Sequence, residues 1–155
     1  MKLKNRINNI STRLSNYKSS KKQELAFYSC NAWIRDKNQI VQEPIKVVKV
    51  SNREEYQMFC DTYYIGVVPD HIKRINRGST MYALCESKRL ISCGWIAHKE
   101  LFWIAEVDTV IDMSCSSTGI LYDFETSESY RGKGFYSVLL KYIISDLIGI
   151  DEYII

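Results

Sequence analysis

From residue 45 onward the apolar positions change period several times, and each change marks an element. Ile45 to Val50 is rich in β-branched residues and predicts a strand. Ser51 and Glu54 then stand as a Ser-x-x-Glu capping box, whose hydroxyl and carboxylate each take an end N–H of a new helix. Tyr56, Phe59, Cys60 and Tyr63 follow at i, i+3, i+4 and i+7 and supply its apolar face. Pro69 suits the first turn of a second, short helix and Gly78 its end. Met81–Glu86 and Leu90–His98 read as two strands joined by a Ser87-Lys88-Arg89 turn. Leu101 to Ile111 alternates as another strand. Leu101, Trp103, Ala105, Val107 and Ile111 take one face, and Phe102, Ile104, Glu106 and Asp108 the other. After a small polar loop at 114–119, Ile120 to Thr126 alternates again. There Ile120, Tyr122 and Phe124 share a face, and Asp123 and Glu125 share the opposite one. From Phe135 the period becomes helical through Val138, Leu139, Tyr142 and Ile143, with Gly149 as a stop. Residues 151–155 begin a further strand.

The part before residue 45 has a different character. Leu3, Ile7, Ile10, Leu14 and Tyr17 recur at steps of four, three, four and three, which is one stripe of a helix. Residues 1–22 carry seven Lys and Arg and no acid, while the remainder holds 14 bases against 18 acids. The +3 net charge therefore joins a +7 arm to a mildly acidic body. Such a helix packs on its own domain with its charges in water, or docks on nucleic acid or an anionic membrane. Tyr17 is the one aromatic among the bases, so a stacking platform for single strands is missing. Leu25 to Trp33 is rich in aromatics and reads as a strand, and Asp36 to Pro44 as a polar loop.

The order of elements predicts an α+β fold: a mixed, largely antiparallel sheet flanked by helices, with an N-terminal basic amphipathic helix. Residues 1–44 form the basic helix and leading strand, and residues 45–155 the main domain.

Composition narrows the class. A chain of 155 residues buries about 68–70% of its unfolded surface, enough for a core without disulfides or metal. With 46% apolar and 25% charged residues, collagen, coiled coil and long-range disorder are excluded. Seven Gly and two Pro are few for a sandwich of many short strands. The five cysteines include no Cys-x-x-Cys pair and read as reduced thiols of a cytoplasmic protein. Cys115, within Ser-Cys-Ser-Ser, reads as a loop residue rather than a nucleophile. His71 and His98 stand far apart without an acidic cluster, so no metal site is expected and both read as ordinary residues. No run of 18 apolar residues is present, and no apolar stretch follows the basic start as in a secretory signal.

The chemistry concentrates in Tyr122 to Leu140, YDFETSESYRGKGFYSVLL. A strand enters a glycine-bearing turn that opens a helix. The first N–H groups of a helix lack internal partners, and the helix dipole adds partial positive charge there. Gly132 and Gly134 remove side chains, and Arg131 and Lys133 add charge. The result is a cradle suited to a pyrophosphate. The spacing is neither that of a P-loop nor that of the Gly-x-Gly-x-x-Gly dinucleotide turn.

Arg131-Gly132-Lys133-Gly134-Phe135-Tyr136 resembles the Arg/Gln-x-x-Gly-x-Gly/Ala signature of the GNAT superfamily of acyl-CoA-dependent N-acyltransferases. The resemblance extends as an order of elements over about residues 45–155. It implies that the N–H groups from Gly132 through Lys133, Gly134 and Phe135 to Tyr136, with the Arg131 side chain, hold the pyrophosphate of acetyl-CoA. It implies also that the main chain of Phe124, Glu125 and Thr126 pairs with the pantetheine arm, one N–H polarising the thioester carbonyl. The acceptor, a small-molecule amine such as an amino sugar, would then attack directly. Two departures stand out. Tyr136 occupies the position usually held by Gly or Ala. The family's usual later helix, which often carries a tyrosine acid, and its two closing strands have no counterpart before Ile155. The expectation is therefore a shortened chain, a fold completed by a homo-oligomer or partner, or a member without activity.

The attacking amine needs a base. Glu106 with Asp108, and Asp123 with Glu125, are the acidic pairs at strand spacing, Glu106 and Asp123 slightly ahead; Tyr122 and Tyr136 are candidate acids. Carboxylates paired with Lys or Arg, and tyrosines that only pack, remain the bland alternatives. Three functions are thus open: acetyl transfer to a primary amine, a silent CoA- or protein-binding domain, and a basic-arm module for nucleic acid or membrane.

Overall fold

The computed structural model describes residues 29–31, 44–98, 101–104, 109–114, 117–147, 150 and 152–154. The expected N-terminal helix, Glu106, Asp108, Cys115 and Gly149 lie outside these residues. The elements in chain order are β1 (Ser29–Asn31), β2 (Ile45–Val50), α1 (Arg53–Tyr63), α2 (Pro69–Asn76), β3 (Thr80–Glu86), β4 (Arg89–His98), β5 (Leu101–Ile104), β6 (Thr109–Asp112), β7 (Thr118–Thr126), α3 (Phe135–Asp146) and β8 (Glu152–Ile154).

Six strands form one sheet in the order β1-β8-β7-β4-β3-β2. All neighbours in it are antiparallel except β7 and β8. Parallel neighbours need a crossover, and α3 supplies it. β1 pairs with β8 from the far side, Cys30 opposite Tyr153, so the leading strand joins the same sheet as the rest.

Helices cover both faces. On one face α1 and α2 pack over Val50, Met81, Ala83, Cys85, Cys93 and Trp95 through Tyr56, Phe59, Cys60 and Ile75. On the other, Leu139 and Ile143 of α3 pack over Tyr82, Leu84, Ile91, Ile96, Leu121 and Tyr153. At the edge of that second layer the buried carboxylate of Asp146 accepts from the Tyr82 hydroxyl (2.9 Å) and pairs with Lys49 (3.1 Å). Burial and this carboxylate push the Tyr82 hydroxyl's pKa up, so it stays a proton donor. Cys60, Cys85 and Cys93 are buried free thiols, and burial pushes Cys85 and Cys93 up to about 11. Neither Cys85 nor Cys93 is a nucleophile at neutral pH.

Three sequence expectations are corrected. The capping box sits one residue later than Ser51/Glu54. Asn52 Oδ1 accepts from Glu55 N–H (2.8 Å), and the Glu55 carboxylate returns to the Ser51 N–H (2.7 Å). Both pairs have the required spacing, and only chain direction selects between them. Second, Leu101–Ile111 is not one strand. β5 and β6 pair antiparallel with each other, Leu101 opposite Asp112 and Ile104 opposite Thr109, as a separate two-stranded sheet. Third, Phe124 does not share a face with Ile120 and Tyr122. It packs in the α3 layer, while Tyr122 packs with the α1 and α2 layer. Register explains the change. Cys93 stands opposite Glu125 and Trp95 opposite Tyr122, so Gly94 faces both Asp123 and Phe124. This is a β-bulge, with Asp123 in the left-handed region at φ 51°.

Among the described residues no helix is long and apolar enough to cross a membrane, and no three His, Cys, Asp or Glu are grouped to hold a metal ion.

Candidate acyl-CoA and acceptor site

The bulge on β7 sets the geometry. Because Asp123 is an extra residue, Tyr122, Asp123 and Glu125 all lie on the α1/α2 face. Phe124 turns under the start of α3, where its ring meets Tyr136 edge-on at 5.0 Å. A Cβ on Gly94 would lie 2.4 Å from the Phe124 ring, so a glycine is required for the ring to rest on β4. Three of the predicted catalytic residues are thereby brought together. Glu106 lies outside the described residues.

Pairing along β7 is unequal on its two edges. Toward β4 it runs to Thr126, opposite Ser92. Toward β8 it covers only Thr118, Gly119 and Ile120. From Leu121 to Thr126 the β8-side edge has no strand partner among the described residues, which leaves main-chain groups open to an extended ligand. The closed edge is reinforced. Ser92 Oγ donates to the Glu125 carbonyl (2.8 Å), the Ser127 N–H to the Ile91 carbonyl (2.8 Å), and Ser127 Oγ to the Leu90 carbonyl (2.7 Å).

The open edge leads directly into the glycine turn. A single 3-10 turn, Glu128–Tyr130, follows β7. The Arg131 Nε then donates back to the Thr126 carbonyl (3.1 Å), tying the turn to the strand end. Gly132 and Gly134 both have positive φ, 74° and 82°. A Cβ built on either meets nothing within 4 Å. Packing therefore does not demand glycine here; backbone conformation and open space do. Gly134 caps α3, and the first helical bond is Val138 N–H to the Gly134 carbonyl (3.1 Å). The N–H groups that precede it have no helical partner, which matches the orphan donors of a helix start. No acid stands in the first turn, and the Lys133 ammonium lies 5.3 Å from the Tyr130 ring centre. The turn is therefore positively charged and carries no side chain at its two positive-φ positions.

On the α1/α2 face, Asp123 is ion-paired with Arg74 of α2. Glu125 has no ion-pair partner among the described residues. Tyr122 donates to Ser79 Oγ (2.9 Å) and touches Phe102 of β5 (4.8 Å between rings). Tyr136 is exposed at the start of α3, away from this face. Sequence reading missed His71, Arg74 and Trp95. The His71 ring lies 5.0 Å from that of Trp95, and the Arg74 guanidinium 5.3 Å from the same ring. The i, i+3 spacing of His71 and Arg74 on a helix opened by Pro69 was a weak signal of one shared face.

No family model and no curated protein matches the chain. Solved structures are similar at low identity. A GCN5-related N-acetyltransferase from Kribbella flavida is 7% identical, with 83% of this chain and 46% of that one covered, at a TM-score of 0.46. A possible acetyltransferase from Clostridium difficile 630 is 13% identical, with 70% of this chain and 76% of that one covered, at 0.39. N-acetylglutamate synthase from Neisseria gonorrhoeae, complexed with coenzyme A and N-acetyl-glutamate, is 15% identical, with 68% of this chain and 23% of that one covered, at 0.37. The chain thus spans under half the length of the first and under a quarter of the last.

Proposed function

We propose that the protein transfers an acetyl group from acetyl-CoA to a primary amine. One observation carries this reading: the open edge of β7 runs without interruption into a turn whose two positive-φ glycines face empty space at a helix start. An extended arm ending in a diphosphate matches that sequence of features. The pantetheine would add to the β7 edge along Phe124, Glu125 and Thr126 as an extra strand. The pyrophosphate would rest on the N–H groups around Gly132 to Tyr136, with Arg131 and Lys133 supplying charge.

When bound, acetyl-CoA supplies an activated carbonyl. The amine nitrogen bonds to the carbonyl carbon, the carbon–sulfur bond breaks, and the thiolate leaves. One N–H on the unpaired β8-side edge of β7 would polarise the carbonyl oxygen. A proton must leave the attacking amine. Asp123 is committed to Arg74, so Glu125 is the carboxylate available on the acceptor face. Protonation of the thiolate is assigned to solvent or Tyr122.

The test is thermal shift with saturating acetyl-CoA, with ATP at equal concentration as the polyanion control. A ligand at 100 times its dissociation constant adds about 2.7 kcal/mol to stability. Stabilisation by acetyl-CoA and not by ATP, followed by amine-dependent thiol release, supports transfer. Stabilisation with no release on a broad amine panel makes the protein a CoA-binding module, and no stabilisation removes the site reading.

A further inference from the structure

The acceptor face holds a pair of hydrogen-bond donors stacked on one indole. Arg74 and His71, three residues apart on α2, both lie against Trp95, and the Arg74 guanidinium also lies 5.4 Å from the Tyr122 ring centre. These aromatic faces fix a side chain that would otherwise be mobile. Asp123 accepts a hydrogen bond from one terminal nitrogen, Nη1. A guanidinium has five N–H donors, so the fork retains donors that no described residue takes. Its side chain is 26% exposed, so the guanidinium is not sealed into the core.

His71 is fixed beside it. The Tyr56 hydroxyl oxygen accepts from the Val68 N–H (3.2 Å) and lies 2.9 Å from His71 Nδ1. A phenolic oxygen has two lone pairs and one O–H, so this contact satisfies Nδ1 in either neutral tautomer. Burial, followed by the charge of Arg74, holds His71 below the usual histidine range despite Asp123, Asp70 and Glu125 nearby, so the neutral form prevails at pH 7. On the same face stands Glu125, opposite Cys93 and without an ion pair among the described residues. One guanidinium, a neutral imidazole and a carboxylate thus flank the strand to which the thioester would bind.

We propose that the acceptor is an amine that also bears a carboxylate, an amino acid in the simplest case. Its carboxylate is held by the remaining donors of the Arg74 fork, beside His71, and its amine is directed to Glu125. Arginine's planar fork matches a carboxylate in two-point fashion, whereas an amine without an acid group brings only positive charge to Arg74. The inference rests on the acyl-transfer reading and narrows it.

The experiment compares thiol release from acetyl-CoA for matched sets: each common amino acid, its α-amide, and the amine lacking the carboxyl. Hydrogen bonds to a charged group predict that kcat/KM for the preferred free acid exceeds that of its amide by about 10- to 100-fold. Arg74→Lys keeps charge but loses the fork, and Arg74→Met loses both. The acid-over-amide ratio should fall in Lys and vanish in Met, mainly through KM. Because either variant could fold poorly, the matched sets on the unaltered protein stand as an independent test. Equal or better use of amides and plain amines overturns the proposal while leaving acetyl transfer intact. Absence of any thermal shift with acetyl-CoA overturns the acyl-transfer reading and this proposal with it.

Discussion

Gly94→Ala tests whether the bulged strand is positioned as argued. The new Cβ would sit 2.4 Å from two carbons of the Phe124 ring and 2.9 Å from a third. Carbon atoms in contact rest at about 3.5–4.0 Å, so the ring must retreat by more than ~1 Å. Tyr136 stands edge-on to that ring at 5.0 Å and α3 lies above, so a retreat in that direction displaces them. Overpacking of this kind costs about 1–3 kcal/mol. Removing a glycine from a strand returns about 0.5–1 kcal/mol, because the unfolded chain loses freedom. The net expectation is a loss of about 0.5–2 kcal/mol. At about 2–4 °C per kcal/mol for a chain of this length, the melting midpoint falls by roughly 1–8 °C. In a Phe124→Ala background the clash is gone and only the entropic gain remains. There Gly94→Ala should stabilise, by about 0.5–1 kcal/mol. Urea denaturation of the four proteins in the cycle measures both signs. If Gly94→Ala stabilises the unaltered protein, or acts alike in both backgrounds, the packing of Phe124 on Gly94 is wrong, and with it the placement of the β7 main chain.

Three further outcomes follow from the same geometry. Gly134→Asn and Gly134→Asp both tolerate positive φ, and the anion suits a helix start, so without ligand Asp should be the more stable by about 0.3–1 kcal/mol. With acetyl-CoA the order should reverse, because Asp alone repels the diphosphate; a thermal shift equal in both would remove the cradle. Glu125→Gln should retain acetyl-CoA binding by calorimetry while kcat/KM for the amine drops about 10²- to 10⁴-fold, and an undiminished rate would reassign the base. His71 has a lowered folded pKa, so the unfolded chain takes up the proton first. Its contribution is complete above about pH 6.5 and is lost as pH falls through the lowered folded value. The melting midpoint should therefore drop between pH 7 and 5, and drop less in His71→Gln. An equal slope in the two proteins would contradict a half-buried neutral imidazole.

Local periodicity made most elements readable, and failed where a tertiary contact chooses between local options. The helix after β2 could be capped from Ser51 or Asn52, since Glu54 and Glu55 stand three residues beyond each. The observed bonds use Asn52 and Glu55, a choice of phase that propensity cannot make. Alternation through Leu101–Ile111 reads as one strand because no Gly, Pro or Asn interrupts it, and period two carries no sign of reversal. The strand at Leu25–Trp33 was visible, but its place beyond β8 depends on pairing over more than a hundred residues. The glycine turn was legible because its chemistry is local to residues 131–136. The acceptor side was not, because Arg74, His71 and Trp95 meet only when α2 lands on the sheet.

The bulge at Asp123 is the most consequential feature that alternation hid. Strict period two would send Glu125 to the α3 face and leave Phe124 beside Tyr122. One extra residue reverses both. Glu125 joins Tyr122 and Asp123 beneath α2, and Phe124 moves under the helix that begins at the glycine turn. A non-glycine residue in the left-handed region costs about 1–2 kcal/mol. The Arg74 ion pair and burial of the Phe124 ring offset that cost. The same residue that bends the strand is thus the one that anchors the arginine. A single backbone irregularity thus decides which side chains of β7 face α2 and which face α3, and on the proposed reading it leaves Asp123 as a fixed counter-ion and Glu125 as the group that moves the proton.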